Sequence, residues 1–252
     1  MPLCTSGICD IDGKRKPPSC LCRARNAKAP CSGRFRSLIA AFRKDVTAMA
    51  VVISYILFGY FSGSILFARV SAKLFHKPDM LHDSTDGNPG ASNAFTHGGF
   101  WCGVVTLAGD LCKGFLPVFL FTHRHLPPPD PFLLSLVLAA PVLGHAFPVF
   151  YRFGGGKGIA VSFGCLLGLL PFWQPVVILA AYFLFFSLVL KITPHFHRTL
   201  VTYLCSALTL FLVLGPGGVT LGFLFITGIV CLRLHISKEK REKMKVVLAW
   251  MH

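Results

Sequence analysis

The stretch "RFGGGKGIAVS", residues 152–162, holds the pattern best suited to chemistry in this chain. Glycine lacks a Cβ, so the backbone N–H groups of Gly155, Gly156 and Gly158 can turn toward one anion, and Lys157 adds a point charge among them. Ile159-Ala160-Val161 then opens a helical, apolar segment whose N-terminus would point at the same anion. A plain flexible connection between two spans would have a similar composition. The loop is not a Walker A motif, because Lys157 is followed by Gly158 rather than Ser or Thr and no GxxxxGK spacing exists.

Three further places carry polar groups where a bland apolar residue would be expected. "DLCKGFLPV" (110–118) puts Asp110 and Lys113 at i, i+3 inside an apolar run, where they should face the protein interior as a pair. That pair either fixes helix packing or lets Lys113 reach a ligand. "GNPGASN" (87–93) places two glycines, a proline and two asparagines, Asn88 and Asn93, beside the first span, in a stretch that cannot continue a helix. His145, in "GHAFPVF", sits near the end of an apolar run, a position where a lone histidine is ordinarily a packing residue. The pair His125 and Asp130 has the HxxxxD spacing of one class of glycerolipid acyltransferases, but the three prolines between them rule out the helical turn that motif needs.

The elements that must position these groups are membrane spans. Of 252 residues, 54% are hydrophobic and 14% charged, against about 25% charged in a typical soluble domain; the mean hydropathy is +0.64. Apolar runs at 51–70, 101–121, 132–149, 159–170, 176–190, 200–214 and 219–232 predict an all-α, polytopic fold of seven spans. Only the first three match a bilayer core of ~30 Å; the other four must borrow flanking residues or sit where the membrane is thin. If each run crosses once and the tail is cytoplasmic, the cytoplasmic segments hold thirteen Lys/Arg and the outer loops hold Arg124 alone. That asymmetry fits the positive-inside rule and gathers the glycine-rich loops on the cytoplasmic side.

The amino-terminal 48 residues do not fit this frame. They carry ten Lys/Arg against three acids on what would be the outer side, and five cysteines (Cys4, Cys9, Cys20, Cys22 and Cys31) without zinc-knuckle spacing. Residues 1–48 therefore read as a basic, Cys-rich extension with no part in the fold, disordered or absent from the working chain, and 49–252 as the integral membrane domain, opening on "MAVVISYILFGYF". No metal site is expected. The other five cysteines lie in apolar runs as small hydrophobes.

From Met49 onward the chain resembles the bacterial acyl-phosphate:glycerol-3-phosphate acyltransferase family, PlsY. Four pieces carry the resemblance in order: "GSILF" (63–67), "GNPGASN" (87–93), "DLCKGFLPV" (110–118) and "GHAFPVFYRFGGGKGIA" (144–160). The resemblance implies a seven-span enzyme of the bacterial plasma membrane with a cytoplasmic active site. It implies transfer of a fatty acyl group from acyl phosphate to the sn-1 hydroxyl of glycerol 3-phosphate, without cofactor, metal or nucleic acid. By position it gives Lys157, His145 and His235 catalytic roles, and Gly155, Gly156, Gly158, Lys113, Asn88, Asn93 and Ser64 substrate- or phosphate-binding roles. The chain departs from the family pattern at several anion-binding places. Asp86 stands for a serine, Thr96 and His97 for an arginine, Gly154 for a lysine and Lys238 for an asparagine. Two other readings stay open at this level: a non-catalytic member that binds lipid or partner enzymes, and a small transporter using Asp110, Lys113 and His145 as a polar pathway.

Overall fold

The computed structural model describes residues 31–77, 87–124, 130–237 and 243–248, without the side chains of 31–42, 44 and 45. Asp86, His125 and Lys238 lie outside the described residues, as do Cys4, Cys9, Cys20 and Cys22. The chain divides into two units, Met1–Lys44 and Asp45–His252. In the first, residues 31–44 are helical; everything below concerns the second.

Nine α-helices are seen among the described residues: α1 (Cys31–Gly63), α2 (Phe67–Leu74), α3 (Ala91–Gly98), α4 (Phe100–Arg124), α5 (Pro131–Ala146), α6 (Ile159–Leu167), α7 (Gln174–Leu184), α8 (His195–Leu214) and α9 (Gly218–Ile236). Five segments are long and apolar enough to cross a membrane: Val46–Gly63, Phe100–Arg124, Pro131–Tyr151, His195–Leu214 and Gly218–Ile236. The fold is that of a multi-pass membrane protein. Two expected spans are short: α6 has nine residues, and the helix through α7 covers Gln174–Val189. The last two runs reach spanning length by the borrowing anticipated above, α8 beginning at His195 and α9 ending at Ile236.

The first run is not one helix over 51–70. α1 stops at Gly63, and the chain bends through Ser64–Leu66 into α2. Packing explains the break. A Cβ on Gly63 would lie 2.2 Å from the Pro141 carbonyl of α5, and one on Gly144 of α5 would lie 2.1 Å from the Tyr60 carbonyl, so the two backbones touch through paired glycines. Breaking a helix at membrane depth frees backbone groups that lipid cannot satisfy. Here Lys113 Nζ donates to the Ile65 carbonyl at 2.6 Å, and the Ser64 N–H and Oγ each donate to the Tyr60 carbonyl at 2.9 Å.

The same device joins α4 to α6, where a Cβ on Gly114 would meet the Val161 carbonyl at 2.4 Å. The main core lies between α4, α5, α6, α8 and α9, built from Val118, Leu138, Val142, Val161, Leu210, Phe223 and Ile226. On the outside, Leu188, Leu208, Leu212 and Val213 are exposed, as an apolar solvent requires. One feature lies beyond the all-helical expectation. Leu190–Thr193 (β1) pairs antiparallel with Lys245–Leu248 (β2), with Leu190 opposite Leu248, so the carboxy-terminal segment is tied to the chain just before α8. Ile192, Thr193, Val246 and Val247 are β-branched and suit such a pair, and nothing in a hydropathy scan reports it.

Candidate functional site

The Asp110 and Lys113 pair forms as helix spacing required, with Lys113 Nζ 2.8 Å from Asp110 Oδ1 and both side chains buried. A third partner comes from α5: Lys113 Nζ lies 2.8 Å from His145 Nδ1. A lysine ammonium has three N–H donors and no acceptor. Two of those donors reach the Ile65 carbonyl and His145 as hydrogen bonds, and Asp110 Oδ1 stands at ion-pair distance from the same ammonium. Because the ammonium can only donate, His145 Nδ1 is the acceptor and the ring proton sits on Nε2. His145 is thus more than the packing residue its position in the sequence suggested.

The glycine-rich loop folds back onto that histidine. Gly156 N–H donates to the His145 carbonyl at 3.1 Å. A Cβ on Gly155 would lie 2.0 Å from the same carbonyl, and one on Gly156 would lie 2.3 Å from His145 Nε2. Arg233 of α9 donates from Nη2 to the Gly155 carbonyl and lies over the Phe147 ring at 6.0 Å from its centroid. Gly158 caps α6 with φ +82°, in the left-handed region where glycine is favoured. The loop's glycines are therefore demanded first by close approach to His145. The Gly156 N–H, expected to face an anion, is spent on a backbone carbonyl.

Above the histidine opens a cavity of about 680 Å³, lined by Asn88, Ser92, Asn93, Asp110, His145, Lys157 and Gly158, and by the apolar Leu107, Ile159, Phe163 and Phe183. "GNPGASN" forms one rim. Asn93 Nδ2 and the Gly90 N–H both donate to the Asn88 carbonyl at 2.9 Å, which curls the loop into the start of α3. Three helices begin at the cavity. Their N-caps, Gly90, Gly158 and Pro194, all stand in its wall, and none makes a side-chain capping bond. A helix N-terminus carries about half a positive charge and offers unpaired N–H groups, so the wall favours an anion.

Of the residues singled out from sequence, Lys157, Gly158, Asn88, Asn93 and His145 share this cavity. Lys113 stands one contact behind it, through His145 and Asp110. Ser64, Gly155 and Gly156 are buried outside its lining, and His235 is exposed in the last turn of α9. The first turn of α8 was missed: His195, Arg198 and Thr199 line the cavity opposite the glycine loop. Its signal was the polar run "TPHFHRT" (193–199) between two apolar stretches, which had counted only toward the charge asymmetry. Among the described residues, no group of three His, Cys, Asp or Glu is placed to hold a metal ion.

A helical membrane fold, a loop of glycines around a lysine and a cavity walled by three helix N-termini define the class: an integral membrane protein whose polar loops meet in one cavity. More specifically, the chain belongs to the glycerol-3-phosphate acyltransferase family, whose model matches residues 53–245. It is 41% identical over 118 residues to the glycerol-3-phosphate acyltransferase of Yersinia pestis (strain Pestoides F), covering 46% of this chain and 52% of that protein. With the Pseudomonas syringae pv. tomato protein of the same description it is 44% identical over 114 residues, 45% of this chain and 57% of the relative. The chain spans about half the length of the curated relatives it matches. It is also similar to two crystal structures of PlsY, an integral membrane glycerol 3-phosphate acyltransferase. The lysophosphatidic acid form has 28% identity and a TM-score of 0.61, covering 73% of this chain and 87% of that one. The glycerol 3-phosphate form has 27% identity and a TM-score of 0.63, covering 73% and 88%.

Proposed function

We propose that the protein transfers a fatty acyl group from acyl phosphate to the sn-1 hydroxyl of glycerol 3-phosphate, releasing lysophosphatidic acid and inorganic phosphate. The observation that carries this reading is the cavity itself. Three helix N-termini without side-chain caps, Lys157 and His145 meet there beside an apolar wall of Leu107, Ile159, Phe163 and Phe183. Phosphate groups suit the first set, and an acyl chain suits the second.

The chemistry asks for positioning rather than a covalent intermediate. An acyl phosphate is a mixed anhydride, activated already. The sn-1 oxygen attacks the acyl carbonyl carbon, the bond from that carbon to the phosphate oxygen breaks, and the leaving phosphate takes up the hydroxyl proton. Lys157 and the α6 N-terminus stabilise charge on the leaving phosphate. His145 is fixed as a donor by Lys113, which suits it to the oxygen that gains charge in the transition state. Holding both reactants in attack geometry supplies much of the remaining rate.

The reading places the protein in a bacterial plasma membrane with the cavity and the carboxyl terminus cytoplasmic; support comes from the thirteen-to-one distribution of Lys/Arg. Single cysteines introduced at Pro128 and at the exposed Gly154, in a chain whose ten native cysteines are replaced, test it: reagent outside intact cells should label 128 and spare 154, and the reverse pattern overturns the orientation. For the reaction, purified protein is given labelled glycerol 3-phosphate with acyl phosphate, acyl-CoA or acylated carrier protein in parallel. Labelled lysophosphatidic acid should form with acyl phosphate. Formation only with a thioester would refute the donor, and no product with any of the three would refute acyl transfer.

A further inference from the structure

The peptide unit between Gly155 and Gly156, just ahead of Lys157, is held at both ends. Its N–H donates to the His145 carbonyl at 3.1 Å, and its carbonyl accepts from Arg233 Nη2 of α9. In a trans peptide those two groups point in opposite directions, so α5 grips the plane from one side and α9 from the other. Glycine on both sides removes the Cβ atoms that would resist rotation of that plane. Left to local preference the unit could flip at little cost. A flip would change the direction in which Lys157 leaves the loop.

Arg233 could serve α9 without touching the loop, because a cation in the last turn already suits the negative end of the helix dipole. Its side chain is instead half-buried and crosses to the Gly155 carbonyl, with the guanidinium over the Phe147 ring. Phe147 is itself pinned. Its N–H donates to the Leu143 carbonyl at 2.8 Å, and Tyr60 Oη donates to its carbonyl at 3.0 Å. A planar guanidinium can stack on a ring and donate in its own plane at once, which an ammonium does less well. Gly156 in turn stands against the His145 imidazole, where an added Cβ would lie 2.3 Å from Nε2. The orientation of this one peptide therefore sets Lys157 and His145 relative to each other in the cavity wall.

We infer that Arg233 is a positioning residue: it locks the Gly155–Gly156 peptide in one orientation and so aims Lys157 and His145 into the cavity. Arg233 lies outside the cavity lining and acts through the loop. Its effect on turnover rests on the acyl-transfer reading; the lock does not.

The test uses the full chain purified in detergent as the parent, Arg233→Gln, Arg233→Lys, Gly156→Ala and the double variant Arg233→Gln with Gly156→Ala. Amide hydrogen exchange is resolved by peptide, thermal unfolding is followed, and kcat and KM are measured with glycerol 3-phosphate and acyl phosphate. In Arg233→Gln, exchange across residues 152–158 should quicken several-fold, while peptides from α4, α5 and α8 keep the parent's rates and the unfolding temperature holds. Its kcat should fall about tenfold, the worth of one charge-assisted hydrogen bond, with both KM values within about twofold of the parent. Arg233→Lys keeps a donor and should recover part of kcat. Where the Gly156→Ala methyl has already displaced the loop, adding Arg233→Gln should lower kcat by less than about twofold more. Parental exchange across 152–158, or a parental kcat, in Arg233→Gln would overturn the inference. So would faster exchange in every helix together with a lowered unfolding temperature, since that is the mark of a packing role, and so would fully additive losses in the double variant. If no donor supports acyl transfer by the parent and Arg233→Gln still loosens 152–158 alone, the lock stands and the reaction assignment falls.

Discussion

Lys113 and Lys157 are both lysines set among apolar helices, and the fold uses them in opposite ways. Lys113 is 5% exposed; it pairs with Asp110 of α4 and hydrogen-bonds Ile65 in the α1–α2 bend and His145 of α5. It closes a broken helix and fixes a histidine. Lys157 is half-buried in a cavity wall at the start of α6, behind a glycine at positive φ. A charge compensated on every side holds structure together, whereas a charge facing a cavity can serve a ligand. The difference separates what Lys113 and Lys157 should do when removed.

Lys113→Met should have the largest effect, and on folding. It leaves Asp110 buried without its cation and the Ile65 carbonyl without its donor, at a cost of about 3–5 kcal/mol. Thermal unfolding in detergent should drop sharply, and adding Asp110→Asn should restore part of the loss. Parental stability for the single variant would erase the contrast.

Lys157→Met should lower turnover by ten- to a hundredfold or more with the unfolding temperature unchanged, since a charge-assisted hydrogen bond contributes about 1.5–3 kcal/mol and each ~1.4 kcal/mol is a factor of ten in rate. Near-normal activity in a preparation whose parent is active would remove Lys157 from the site.

Gly156→Ala sharpens the comparison from the loop side. Its new methyl would sit 2.3 Å from His145 Nε2, so the ring or the loop must move, costing about 1–3 kcal/mol. Gly154→Ala is the control: its nearest neighbour would be 3.4 Å away, so an effect within about 0.5 kcal/mol is expected. Equal effects from the two would show that the loop does not rest on His145 as described.

The smallest effect is proposed for removal of residues 1–48. A chain beginning at Met49 should insert into the membrane and turn over like the full one, measured by membrane fraction yield and specific activity. Failure to insert would tie the extension to the fold.

Where the sequence spoke clearly, local physics was in charge. Lipid cannot hydrogen-bond a backbone, so spans must be largely continuous apolar helices; the runs at 101–121, 200–214 and 219–232 each lie within a long helix, and that at 132–149 follows α5 as far as Ala146. Asp110 and Lys113 are neighbours on α4 because i, i+3 places them on one face, whatever surrounds them. The glycines around Lys157 signalled an unusual backbone, and Gly158 at φ +82° shows one. Other features depended on residues far apart in the chain. Gly63 ends α1 because Pro141 lies against it, His145 accepts from a lysine 32 positions earlier, and Arg198 reaches the cavity because α8 is set opposite the glycine loop. No periodicity or composition encodes such meetings. They follow from which helix faces pack together, so the sequence by itself determined the spans and the local charge pair, and only the tertiary structure decided which of the polar residues share one cavity.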